Sequence, residues 1–249
     1  MSTLNKACCT LPPVQTEYTP KGVFEQVNGL KSYVTGDRSS KHVLLCIYDI
    51  FGYWATTQQG ADLLGDTGKV KVVMPDFLRG QPWPIDKFPP PKDEQDKFSQ
   101  WLDTIGSIPD RLKDIDVVVA GLKAQGAEKI GLYGFCWGGK ISLLASRQGS
   151  PFVGTAQVHP AFVSPEDAKP VAVPLAFFPS GDEPEKDVND FWNTFKESNP
   201  DAFKKSVTKY YTNMHHGFAA ARADLNKEEN YFAFQDVYTR LADYFAGLL

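Results

Sequence analysis

Ile130-Gly131-Leu132-Tyr133-Gly134-Phe135-Cys136-Trp137-Gly138-Gly139-Lys140-Ile141 is the stretch on which the fold turns. An apolar run ends in Gly-x-Cys-x-Gly and passes without a spacer into a helical pattern. This is the nucleophile-elbow arrangement with cysteine in place of serine. Such a turn from strand to helix holds its central residue in a strained backbone conformation. Glycine stands two residues away on either side because a Cβ there would clash. The turn presents the Cys136 side chain at the carboxyl edge of a sheet, above the first N–H groups of the next helix. Those groups lack helical partners and carry the positive end of the helix dipole. They can stabilise a thiolate and an oxyanion. The bland reading is a small buried apolar cysteine.

Outward from the elbow, strand and helix patterns alternate. Residues 43–50, 70–76, 130–135, 154–159, 174–179 and 205–211 read as buried strands. Residues 56–64, 109–124, 137–147, 186–196 and 230–245 read as helices. Continuous apolar strands separated by helices predict an α/β fold with a mostly parallel, doubly wound sheet covered on both faces. Ligands on such sheets sit beyond the carboxyl ends of the strands. Residues 1–20 read as an N-terminal arm and 21–249 as one domain. The Pro-rich stretch from Pro82 to Pro91 cannot continue a strand or helix and reads as a loop carrying Trp83 and Phe88 over the sheet edge.

A base must follow a late strand to reach the elbow. His216, in Asn213-Met214-His215-His216-Gly217-Phe218, does so, and His215 must then point elsewhere. The orienting acid should follow the preceding strand, at Ser180-Gly181-Asp182-Glu183-Pro184. Asp182 is the first candidate, Glu183 the second and Asp187 a distant third. His159, closing an earlier strand, is either a pocket residue or a hydrogen-bonded structural histidine. His42 precedes a strand and belongs at the opposite face.

Composition narrows the function. The chain has 249 residues, a net charge of −4 and no long basic run, which argues against nucleic acid as a partner. No stretch approaches the ~18 apolar residues of a membrane helix. The four cysteines, Cys8, Cys9, Cys46 and Cys136, suggest no disulfide framework, so a cytoplasmic location is expected. Metal-type spacing is absent, and neither metal nor cofactor is expected. Redox sensing through Cys8 and Cys9 is a minor alternative.

These residues resemble the dienelactone hydrolases (carboxymethylenebutenolidases). The matching segments are Gly134-Phe135-Cys136-Trp137-Gly138-Gly139, His216-Gly217-Phe218 and Asp49-Ile50-Phe51-Gly52. Cys8-Cys9 and Tyr33-Val34-Thr35-Gly36 look like the eukaryotic, fungal-type branch. The resemblance implies an α/β-hydrolase fold and a triad of Cys136, His216 and Asp182. It implies an oxyanion hole from the backbone N–H groups of Trp137 and Ile50. Asp49 stands where bacterial members carry a glutamate that holds the resting thiol. Arg79 is a candidate for one of the two arginines that bind a substrate carboxylate. The other falls at Ala220, with Arg222 two residues further on. Phe51, Trp83, His159 and Arg222 complete the expected substrate contacts.

The chemistry of a thiol restricts the substrate independently of the resemblance. A Cys136 thiolate attacking a carbonyl gives a tetrahedral intermediate that expels sulfur again unless the other leaving group is comparably stable. Enol lactones and activated esters meet that condition; peptides and simple alkyl esters do not. The expected activity is hydrolysis of a small lactone or activated ester through a thioester, by a monomer or homodimer. The alternatives are an esterase or thioesterase for another small acyl group, and a non-catalytic ligand-binding protein of this fold.

Overall fold

The computed structural model describes residue 12 and residues 14–249. Its eight strands are β1 (Val23–Val27), β2 (Leu30–Gly36), β3 (His42–Ile47), β4 (Lys71–Pro75), β5 (Lys129–Cys136), β6 (Thr155–Pro160), β7 (Leu175–Phe178) and β8 (Val207–Thr208). They form one sheet in the order β1-β2-β4-β3-β5-β6-β7-β8. Only the β1/β2 and β2/β4 pairs are antiparallel. From β4 to β8 every pair is parallel.

The helices are α1 (Ala55–Gly68), α2 (Gln95–Asp103), α3 (Ile108–Ala124), α4 (Trp137–Leu144), α5 (Glu185–Ser198), α6 (Pro200–Phe203) and α7 (Glu228–Ala246). Two glycines of β5 show that both faces of the sheet are covered. A Cβ at Gly131 would strike the Phe245 ring of α7 at 2.6 Å, whereas one at Gly134 would strike the Gly138 carbonyl of α4 at 2.1 Å. Residues three apart on a strand face opposite ways. The central strands are apolar and almost wholly buried, as a sheet covered on both sides demands. This is the expected α/β-hydrolase architecture.

Two expected strands shorten, and two further elements appear. The strand expected over 43–50 ends at Ile47, and Tyr48 to Phe51 turn across the carboxyl edge instead. The strand expected over 205–211 reduces to Val207–Thr208, both exposed at the sheet edge, with a separate bridge between Ser180 and Tyr211. The hairpin β1/β2 and helix α2 were not anticipated. Asn28 and Gly29, at φ +47° and +89°, close that hairpin, a two-residue Asn-Gly turn whose backbone twist matches the strands.

The described part of the arm lies across α1. The buried Asp62 carboxylate accepts from Tyr18 Oη at 2.6 Å, from the Lys21 N–H at 2.9 Å and from Tyr33 Oη at 2.8 Å. Cys8 and Cys9 lie outside the described residues. Among the described residues, no helix is long and apolar enough to cross a membrane.

Candidate active site

Strands β3 and β5 are neighbours, with Ile47 opposite Gly134, although β4 lies between them in sequence. The chain leaves these two strands in different directions, so their carboxyl ends open a crevice. Cys136 stands there at φ +53°, ψ −119°, the N-cap of α4. The flanking glycines are required sterically. A Cβ at Gly138 would lie 2.3 Å from the Ile47 carbonyl oxygen and 2.4 Å from that of Tyr48. The backbone N–H of Trp137 is the first of α4. Its indole contributes differently: it is buried and donates to the Gly106 carbonyl at 2.8 Å.

The loop after β8 brings His216 to this edge. Its Nδ1 lies 2.6 Å from Glu183 Oε1. Glu183 is buried, and its carboxylate also accepts from the Ser180 N–H and, at 3.0 Å, from Ser180 Oγ. This corrects the expectation for Asp182. Asp182 Oδ2 instead accepts the backbone N–H of His216 at 2.7 Å from an exposed position. The turn after β7 faces Asp182 outward and Glu183 inward, so the first acid fixes the loop and the second fixes the ring. Asp187 lies in the first turn of α5. His215 Nε2 sits 3.1 Å from the Arg222 carbonyl oxygen, turned away from the sulfur.

Burial disfavours a charged His216, but the charge and side-chain hydrogen bonding of Cys136, followed by those of Glu183, outweigh it and raise its pKa to about 10. With Nδ1 on Glu183, the other ring nitrogen is left for the sulfur. Together they form a thiol–imidazole–carboxylate line.

Asp49, Ile50, Phe51, Phe88, Cys136, His216, Gly217 and Arg222 line a narrow cleft. Asp49 is buried, and burial lifts its carboxyl to about 6 against the pull of its hydrogen bonds. Oδ1 accepts from the Phe51 N–H at 2.9 Å and Oδ2 from the Ala221 N–H at 3.2 Å. Asp49 therefore ties the loop after β3 to the histidine loop. The Ile50 peptide is held from its other side, since its carbonyl accepts from the Trp83 N–H at 2.9 Å.

Other expected contacts fall elsewhere. Arg79 is paired with Asp114 at 2.8 Å and is not among the residues lining the cleft. Trp83 is buried against Phe98 and Trp101, with its indole N–H on the Lys87 carbonyl. It anchors the Pro-rich loop, and the loop residue at the cleft is Phe88, edge-on to Phe51 at 5.6 Å. His159 is buried without lining the cleft, and neither ring nitrogen has a hydrogen-bond partner in another described residue. Arg222 alone of the expected arginines reaches the cleft, its side chain lying over Gly217, which needs its φ of +95°. His42 opens β3 at the amino edge, as expected. Among the described residues, no cluster of three or more His, Cys, Asp or Glu side chains could hold a metal ion.

The sequence profile described as the dienelactone hydrolase family matches residues 30–249. An uncharacterised AIM2 family protein of Schizosaccharomyces pombe is 37% identical over 238 residues, 93% of each chain. A carboxymethylenebutenolidase homolog of Homo sapiens is 31% identical over 210 residues, 81% of each. Among solved structures, a putative dienelactone hydrolase from Klebsiella pneumoniae superposes with a TM-score of 0.69 at 16% identity, covering 87% of this chain and 92% of the other. A Pyrococcus furiosus esterase gives 0.64 at 13% identity, with 95% and 97% covered. The fold agrees with both structures, the family match spans most of the chain, and relatives above 30% identity cover it nearly end to end: the chain belongs to the dienelactone hydrolase family.

Proposed function

We propose that the protein hydrolyses a small lactone or activated ester through a thioester on Cys136. The observation that carries this reading is the strained Cys136 beside a His216 whose far nitrogen is held by buried Glu183. The His216 imidazolium stabilises the thiolate. Sulfur attacks the carbonyl carbon, and the oxyanion forms against the N–H groups of Trp137 and Ile50. Collapse expels the alkoxide or enolate, which takes its proton from His216. Neutral His216 then draws a proton from water, and the hydroxide so formed cleaves the thioester. Glu183 holds the imidazole in the tautomer that both steps need. Cys136→Ala should abolish turnover of p-nitrophenyl acetate in a protein of unchanged circular dichroism. Full activity in that variant overturns the mechanism.

A second reading, an esterase or thioesterase for an acyl group without a carboxylate, is favoured by one observation. Position 220 is a buried alanine and Arg79 is spent on Asp114, so a carboxylate would meet Arg222 alone. In either case the leaving-group limit on a thiol points to an activated acyl substrate.

A further inference from the structure

His159 is costly to the fold in three ways. The β5/β6 register slips at this point: Phe135 pairs with Val158 but Cys136 with Pro160, which leaves His159 as the extra residue of a bulge. Its φ is +36°, in the left-handed region that side chains with a Cβ seldom adopt. Its ring is fully buried and neither nitrogen finds a hydrogen-bond partner in any other described residue, where leucine would bury no polar atom. A buried polar group left without a partner destabilises the fold. Bulges beside active sites re-aim side chains, and here the re-aimed ring lands on His216. The two ring centroids are 5.1 Å apart at 64°, while Phe135 and Phe218 close the other sides at 5.6 Å each.

We propose that His159 is a positioning residue whose ring, packed edge-to-face on His216, holds that imidazole on the line between Glu183 and Cys136. The proposal rests on the Cys136–His216 reading above. The contacts at its two nitrogens, with Glu183 and with Cys136, leave the ring free to tilt about the line joining them. A rigid wall against the ring removes that freedom. Imidazole is the smallest aromatic side chain, and the space between Phe135, Phe218 and His216 is closed, so a larger ring would overpack it. The charged or titratable groups around His159 are His216, His215 and Arg222. Burial first, then the charge on His216, holds its pKa well below the usual histidine range. It is therefore an uncharged wall that does not compete with the imidazolium.

The test is alkylation of Cys136 by iodoacetamide, followed by mass spectrometry on the Cys136 peptide, at pH 6 and pH 9. A thiol by itself is scarcely ionised at pH 6, where reaction as thiolate needs a neighbouring imidazolium, and is largely ionised at pH 9. His159→Leu should slow alkylation at pH 6 by about tenfold while changing the pH 9 rate by less than about twofold, the scale of one weakened hydrogen bond to a charged group. A purely structural role would lower the melting temperature and leave the ratio of the two rates as it was. That result, in a wild-type protein whose Cys136 outpaces glutathione at pH 6, overturns the proposal. Should His159→Leu fail to fold, His159→Ala carries the same expectation and the same refutation. A wild-type Cys136 no faster than glutathione at pH 6 removes the nucleophile pair itself, and the proposal with it.

Discussion

Glu183 Oε1 lies 2.6 Å from His216 Nδ1, while the neighbouring Asp182 reaches only the backbone N–H of the same histidine. Two adjacent acids thus hold one residue by two different handles, and they should fail differently when changed.

Glu183→Gln can present its amide to Nδ1 and stabilise the wrong tautomer. We expect kcat for p-nitrophenyl acetate to fall by about a hundredfold or more with little change in KM. Asp182→Asn removes a charge from an exposed loop contact and should cost less than about tenfold. Equal losses in the two variants would contradict the separation of roles.

His216 links the site to stability. Its folded pKa, about 10, exceeds its ordinary value of 6.5. A raised pKa means that the folded state binds the proton more tightly than the unfolded chain does. The stabilisation is fully present below pH 6.5 and is lost as pH rises through about 10. Urea unfolding of the wild type should therefore show a decline between pH 7 and 10 that is much smaller in Cys136→Ala, which removes the leading cause that raises the His216 value. Parallel curves would contradict the ion pair.

Arg222 is the one arginine lining the cleft, and it makes no ion pair among the described residues. Arg222→Ala should lower kcat/KM about tenfold to a hundredfold for a lactone bearing a free carboxylate, the scale of one hydrogen bond between charged groups. It should leave a neutral lactone within about twofold. A uniform effect on both would favour an acyl substrate without a carboxylate.

Much of the architecture was legible because it depends on local chemistry. Gly134 and Gly138 beside Cys136 could be read as an elbow because a Cβ at either meets backbone, whatever the rest of the protein does. Asn28-Gly29 carries an equally local signal for the β1/β2 hairpin, which lies outside the parallel strand–helix alternation of the rest of the sheet. Lys205 to Tyr211 have strand-like residues, yet β8 stays short because an edge position supplies a partner on one side only.

By itself, the sequence determined the strand–elbow–helix unit at Cys136, the parallel α/β sheet around it and the delivery of His216 to its carboxyl edge. These follow from steric exclusion at glycine and from apolar periodicity, which act over a few residues. Only the tertiary structure decided between Asp182 and Glu183, turned Asp49 into a tie between two loops, sent Arg79 to Asp114 and Trp83 inward, and set His159 against His216. Each of those outcomes depends on which way a side chain faces after a turn and on what a distant segment places opposite it, and neither is encoded in local spacing.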